Sequence, residues 1–144
     1  MSKREDIASN IITVLDAMTT PVELKKITRD PFEFEKLSNA QFPAAWIVTG
    51  DESRTDSTIA SSSSKRMGTI DYTIVGFVKG ENIDTARNQL IEAIEEALDA
   101  DLTRNGNAIH TEAVEVSTDE GQLDPIGGIR MVVRVTYDYT RGAT

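Results

Sequence analysis

The chain has 144 residues and no cysteine, and its 24 acidic and 15 basic side chains give a net charge of −9. This length predicts one domain over 1–144, and the lack of cysteine excludes disulfides, zinc–thiolate sites and thiol nucleophiles. The negative field disfavours nucleic acid as a bound partner, because holding phosphates requires several Lys or Arg on one face.

The N-terminal segment is predicted to be a helix over about 3–18. Apolar residues recur there at spacings of three and four, Ser2 and Glu5 fit a capping box, and Pro21 ends the pattern. The charged start of the chain is unlike a secretory signal, and no apolar run approaches the roughly 20 residues needed to cross a bilayer. We therefore expect a protein that is assembled in the cytosol and is not anchored to a membrane.

The next part of the chain is predicted to hold two strands and a long loop. Residues 22–28 indicate a short strand, 30–37 favour a helical turn, and 44–49 indicate a buried strand. The stretch Gly50–Arg66 is rich in Ser, Thr and Asp, with few residues that could build a core. We therefore predict a long flexible loop at 50–66.

The second half of the chain has the clearest patterns. Residues 69–78 and 108–117 indicate strands, 83–99 an amphipathic helix, and 129–140 a strand in which apolar and polar residues alternate. The order is then α-β-β-β-α-β-β. Two main helices are too few to cover both faces of a sheet. We therefore predict an α+β fold with an antiparallel or mixed sheet of about four to five strands and both helices on one face.

The length of the last strand suggests a surface for partners. At about 3.3 Å per residue, Ile129–Thr140 spans roughly 40 Å, whereas the second helix reaches only about 25 Å. Part of the sheet is then expected to overhang its helices, and Tyr137 and Tyr139 lie on that part. Exposed aromatic residues are typical of surfaces buried by another subunit. The alternative is that the first helix or the 30–37 segment covers this end.

The candidates for catalysis or metal binding are one histidine and many carboxylates. His110 has no serine elbow to activate, and the carboxylates at 92–99 lie on the outward face of a helix. The acidic cluster near Asp119 lacks the ligand spacing of a calcium loop. Gly127–Gly128 precedes a strand and opens no phosphate-binding helix. We expect no enzyme activity, no cofactor and no metal.

Several local sequences carry a family resemblance. They are Gln41-Phe42-Pro43-Ala44-Ala45-Trp46-Ile47, the Ser/Thr-rich loop that follows, Leu98-Asp99-Ala100-Asp101-Leu102 and Arg134-Val135-Thr136-Tyr137-Asp138-Tyr139. With the order of elements, they make nearly the whole chain resemble the tail terminator (minor tail or tail completion) proteins of tailed bacteriophages.

The resemblance implies a virion protein at the neck-proximal end of the tail. Such a subunit would form a ring, expected to be a hexamer, that caps the tail tube, ends its polymerisation and provides a docking surface for head-completion or neck proteins. In a contractile tail it would also meet the sheath, and DNA would pass through the ring without specific binding. The resemblance has no catalytic residues to carry over. Arg54, Lys65 and Arg66 in the long loop, with Tyr137 and Tyr139, are the candidate contact residues toward neighbouring subunits or the tube.

Two alternatives remain open at this stage. A head-to-tail joining protein of the neck would also form a ring, but it would bind the portal side. A small binding module without catalytic activity would be a monomer or dimer with a concave apolar pocket.

Overall fold

The computed structural model describes residues 2–20, 22–56, 65–123 and 125–140. Its elements are α1 (Lys3–Asp16), β1 (Lys26–Thr28), β2 (Ala44–Asp56), β3 (Lys65–Lys79), α2 (Ile83–Asp99), β4 (His110–Thr118) and β5 (Ile126–Thr140), with short 3-10 turns at Phe34–Lys36 and Asn39–Gln41. As predicted, Ser2 caps the N-terminus of α1, and its hydroxyl accepts a hydrogen bond from the backbone N–H of Glu5.

The five strands form one mixed sheet in the order β1-β2-β3-β5-β4. The short β1 runs parallel to β2, and the other three neighbouring pairs are antiparallel. Both helices pack on one face of this sheet, where they share a core with alternate residues of β2, β3 and β5. The predicted α+β fold with two helices on one face of a mixed sheet is therefore confirmed.

The other face of the sheet, here called the open face, has an aromatic cover at one end only. Phe32 and Phe34 fold back over Phe77 of β3, and Phe32 lies edge-on against Trp46 of β2 with ring centroids 4.9 Å apart. Trp46 also contacts Phe77, with ring centroids 5.4 Å apart. This cluster explains why the 30–42 segment needs little regular structure, since its aromatic rings anchor it.

The strands β2 and β3 are longer than their apolar patterns indicate. Residues 50–56 and 65–66, which were predicted to be loop, lie in β2 and β3, while 57–64 fall outside the described residues. A bulge between Thr49 and Glu52 interrupts the pairing of β2 with β3. The backbones approach closely there, because a Cβ on Gly50 would lie 2.8 Å from the carbonyl oxygen of Asp71.

The predicted overhang of β5 is wrong. Tyr137 and Tyr139 have only 1% and 2% of their surface exposed, and they belong to the same core as the residues of α1. The first turn of α1 reaches this end of the sheet, since the Lys3 ammonium donates to the backbone oxygen and carboxylate of Asp138. The two helices lie side by side, so α1 covers the strand ends that α2 alone would leave bare.

Candidate functional site

Three of the five candidate contact residues, Arg54, Tyr137 and Tyr139, lie around a carboxylate that the sequence did not single out. Glu52 has only 4% of its side chain exposed, and it accepts hydrogen bonds from Nε of Arg54 and from the Tyr137 hydroxyl, the latter at 2.7 Å. Nη1 of Arg4 lies 3.2 Å from its other oxygen. Arg54 also lies over the ring of Tyr139, 4.9 Å from the centroid. These five residues are called the Glu52 cluster.

The bulge in β2 places Glu52 and Arg54 on the helix-covered face. Before the bulge, Ile47 points to the core, and the extra residue reverses the alternation so that Glu52 pairs with the buried Ile70. Gly68 makes room for the cluster on β3. A Cβ there would lie 2.8 Å from both the Glu52 carboxylate and the Tyr137 ring. The cluster therefore depends on one irregularity and on one missing side chain.

Burial and pairing keep the donors of the cluster protonated. Burial, helped by the hydrogen bond to Glu52, raises the pKa of Tyr137 to about 12. The hydrogen bond to the same carboxylate raises the pKa of Arg54 well above its usual value. Tyr72 extends the arrangement, because its hydroxyl donates to the backbone oxygen of Arg4 at 2.7 Å. The hydrogen bonds and ion pairs of the cluster therefore hold the start of α1 against the ends of β2 and β5.

All five predicted contact residues lie at one end of the sheet, but they differ in exposure. Arg54 is about one-third exposed, Lys65 is exposed at the first position of β3, and Arg66 is half-buried where it pairs with Tyr139 across the ladder. Tyr137 is buried beneath them and cannot act as an exposed contact of the subunit. A role of Arg54, Lys65 and Arg66 in contacts between subunits stays a prediction.

The middle of the open face is polar. A groove of about 450 Å³ crosses it, and its rim holds an ion pair of Arg134 with Asp71, whose two contacts measure 2.9 and 3.2 Å. Arg130 and Glu115 form a looser pair at 3.8 Å on the neighbouring strands. Paired charges of both signs line this groove, so it lacks the apolar walls that a small-molecule site usually has.

The residues that were weighed for catalysis lie apart from one another or serve the fold. His110 is half-exposed on β4 and lies 3.9 Å from Glu112, while the α2 carboxylates point outward. Asp119 is instead a buried partner of Arg87, at 2.9 Å, and accepts hydrogen bonds from the backbone N–H groups of Leu123 and Gly128. The acidic turn therefore pins the β4–β5 connection to α2.

No group of three or more His, Asp or Glu side chains in the described ranges is arranged to hold a metal ion. None of the helices in these ranges has the length and apolar character needed to cross a bilayer.

Comparison with known proteins gives a structural neighbour. No protein-family model matches the chain, and no curated protein matches it in sequence. A chain of the solved structure described as the virion of a native gene transfer agent particle superposes with a TM-score of 0.55, over 92% of this chain and 94% of that chain. The aligned sequences are 14% identical. The two chains therefore share a fold over nearly their whole lengths.

Proposed function

We propose that this chain is a structural protein of a virion and that it forms the ring which terminates a tail tube. The observation that carries the proposal is the fold shared, across almost all of both chains, with a component of a gene transfer agent virion. The local sequences that resemble tail terminator proteins point to the same class. The proposed location is the neck-proximal end of the tail.

A terminator acts through the geometry of the contacts between its subunits. Head-to-tail contacts that close on themselves give a ring with no free end, so growth of the tube stops once the ring has formed. The exposed carboxylates of α2 and the net charge of −9 disfavour adhesion of DNA to the subunit. DNA can then pass through the ring without being held.

The proposed partners are further copies of the chain, the tail tube protein and a neck or head-completion protein, with the sheath added in a contractile tail. The role includes no covalent chemistry. The open-face groove, with its paired charges, fits a protein that binds other proteins.

Tube capping tests the proposal directly. Tail tubes are polymerised with and without the purified protein, and their ends and lengths are recorded by electron microscopy. We expect rings at one end of each tube and a narrower length distribution. A protein that leaves both the ends and the lengths unchanged is not a terminator. Rings that bind isolated portals and leave tubes bare would instead identify a neck protein.

A further inference from the structure

The exposed apolar residues of the subunit lie at the two edges of its sheet. Among the described residues, the large hydrophobic side chains that are exposed are Leu102, Ile109, Val114 and Val116, on β4 or just before it, and Val48, on β2. Each valine is about 40% exposed. Scattered single apolar residues on a surface are normal, but a concentration at strand edges marks sites of association.

Both edges also have backbone groups that no described strand pairs. β4 is the last strand on one side, and its whole length His110–Thr118 has a neighbour only in β5. On the other side β1 pairs with Ala44–Trp46 alone, which leaves the outer edge of β2 from Ile47 onward without a described neighbouring strand. Neither free edge contains the Lys or Pro residues that commonly block edge-to-edge pairing.

The charges beside the two edges have opposite signs. Near β4, a groove between the end of α2 and the strand is lined by the carboxylates of Glu95, Asp99 and Glu112. Near β2, three partly exposed arginines lie on the helix-covered side. They contact β2 through Thr49 in the case of Arg29, and through Glu52 in the case of Arg4 and Arg54. The partners of these three arginines are the two carboxylates of Glu5 and Glu52, so one positive charge is left in excess on this side, and it is complementary to the acidic side of another copy.

We infer that β4 of one copy pairs with the free edge of β2 in a second copy, so that the sheet continues from subunit to subunit. This inference rests on the proposed ring. Each neighbouring pair from β2 through β3 and β5 to β4 is antiparallel, so β4 runs opposite to β2. Copies in the same orientation around a ring therefore meet with antiparallel edges. Because the two edges are different surfaces, the contact is head-to-tail, which is the type of contact that gives a ring when the rotation between copies closes.

The bulges indicate how the two edges align. β2 is interrupted between Thr49 and Glu52, and β4 between Ala113 and Glu115. Antiparallel alignment of the two bulges leaves regular segments on both sides of them. The segment that contains Glu112 then lies beside the Arg54 segment, and the segment that contains Val116 lies beside Val48. Val48 lies opposite Thr73 on the open face, and Val116 lies opposite Met131 on the helix-covered face, so each face of the continued sheet has one of the two valines at the contact.

Lysine substitutions at the edges test this pairing, because a lysine on an edge strand opposes association. Val48→Lys alters only the β2 edge, and Val116→Lys alters only the β4 edge. The matched control is Gln89→Lys, which adds the same charge at an exposed position of α2. Native mass spectrometry of each protein, alone and with tail tubes, should show rings for the wild type and Gln89→Lys and only monomers for the two edge variants. Assembly of both edge variants like the wild type would overturn the inference.

Mixing the two edge variants distinguishes a head-to-tail contact from a two-fold one. Val48→Lys keeps an intact β4 edge and Val116→Lys an intact β2 edge, so a mixture should give a one-to-one heterodimer that cannot grow further. A mixture that stays monomeric overturns the head-to-tail pairing.

Hydrogen exchange of the wild type gives a test that needs no substitution. Backbone amides in Glu115–Thr118 and Ile47–Thr49 should exchange at least about tenfold more slowly in the ring than in the monomer. Rings with unchanged exchange at both edges refute the edge pairing but leave the terminator role intact. A wild-type protein that forms no ring, with or without tubes, refutes the proposed function itself.

Discussion

Replacement of Glu52 by glutamine tests whether the Glu52 cluster stabilises the fold. The substitution preserves size and removes the charge that accepts hydrogen bonds from Tyr137 and Arg54. A buried hydrogen bond to a charged group contributes about 1.5–3 kcal/mol, and a neutral one about 1 kcal/mol. Arg4 and Arg54 are about one-third exposed, so their ion pairs with Glu52 add little in water. We expect Glu52→Gln to lower the free energy of unfolding by about 2 kcal/mol.

Urea denaturation followed by circular dichroism measures this loss, and thermal unfolding should show a fall in Tm of roughly 6 °C for a chain of this size. Tyr137→Phe completes a double-mutant cycle, in which we expect a coupling of about 1 kcal/mol with Glu52. The matched control is Glu112→Gln, a carboxylate that is 56% exposed on β4. Its effect should stay within about 0.5 kcal/mol. A Glu52→Gln protein as stable as this control would refute the reasoning.

Three further predictions concern packing, pH and binding. Gly68→Ala should destabilise the fold by about 1–3 kcal/mol, because the new methyl group would overlap the Tyr137 ring, and calorimetry will measure this. Asp119→Asn should cost about 3 kcal/mol at pH 7, since it removes the buried anion of Arg87 and leaves only the exposed carboxylate of Asp84 as its partner, and urea titrations at several pH values will follow the loss. Lys65→Glu should leave stability within about 0.5 kcal/mol of the wild type but reduce the fraction of capped tubes counted by electron microscopy.

The pH dependence of the Asp119 effect follows from the sign of its pKa shift. Burial alone would raise this pKa, but the backbone N–H groups of Gly128 and Leu123 and the charge of Arg87 lower it below its usual 3.8. The carboxylate therefore stabilises the fold above the unfolded pKa of about 3.9, and this contribution is lost as the pH falls through the lower folded value. The difference between wild type and Asp119→Asn should shrink in that range. A difference that stays constant down to pH 3 contradicts the assignment.

The other two predictions have their own controls. Gly128→Ala introduces a methyl group 3.2 Å from the flexible end of Leu123, a looser approach than at Gly68, so it should cost less. Equal losses would mean that the Gly68 contact is not the cause. Lys36→Glu makes the same charge change at a side chain that is 78% exposed, far along the chain from Lys65. Equal loss of capping in both lysine variants would indicate a general charge effect.

The elements predicted best are those whose own side chains determine their structure. The bounds of α2 match the sequence prediction because an apolar stripe of regular period needs only one buried side. β5 was found because alternation persists from Ile129 to Thr140, although the strand begins three residues earlier, at Ile126. β1 is shorter than predicted, with only Lys26–Thr28 paired, because the pairing starts opposite Ala44, where β2 itself begins.

The polar ends of β2 and β3 could not be predicted from composition. Residues 50–56 form a strand because β3 pairs with them. This pairing is made by backbone hydrogen bonds, which a pattern of apolar side chains does not reveal. Glu52 was missed for a related reason. Its burial depends on a bulge that reverses the alternation, and neighbouring charges at Asp51 and Arg54 make the stretch look solvated. The only local signal was the opposite charge of Glu52 and Arg54 two residues apart, which a strand brings to one face.

Tyr137 and Tyr139 were wrongly predicted to be exposed because the length of β5 was compared with the length of α2 alone. A strand longer than the nearest helix is bare only if no second helix lies alongside, and α1 supplies that cover here. Position along the chain gave no hint, because α1 and the end of β5 are separated by more than a hundred residues.

The buried ion pair between Arg87 and Asp119 affects how β4 responds to mechanical force. It fastens the turn after β4 to the second turn of α2, and both side chains are almost fully buried. A pull on β4 from an adjacent molecule is then shared by the helix and the core beneath it, and does not act on the ladder with β5 alone. An outermost strand secured in this way resists being peeled from the sheet.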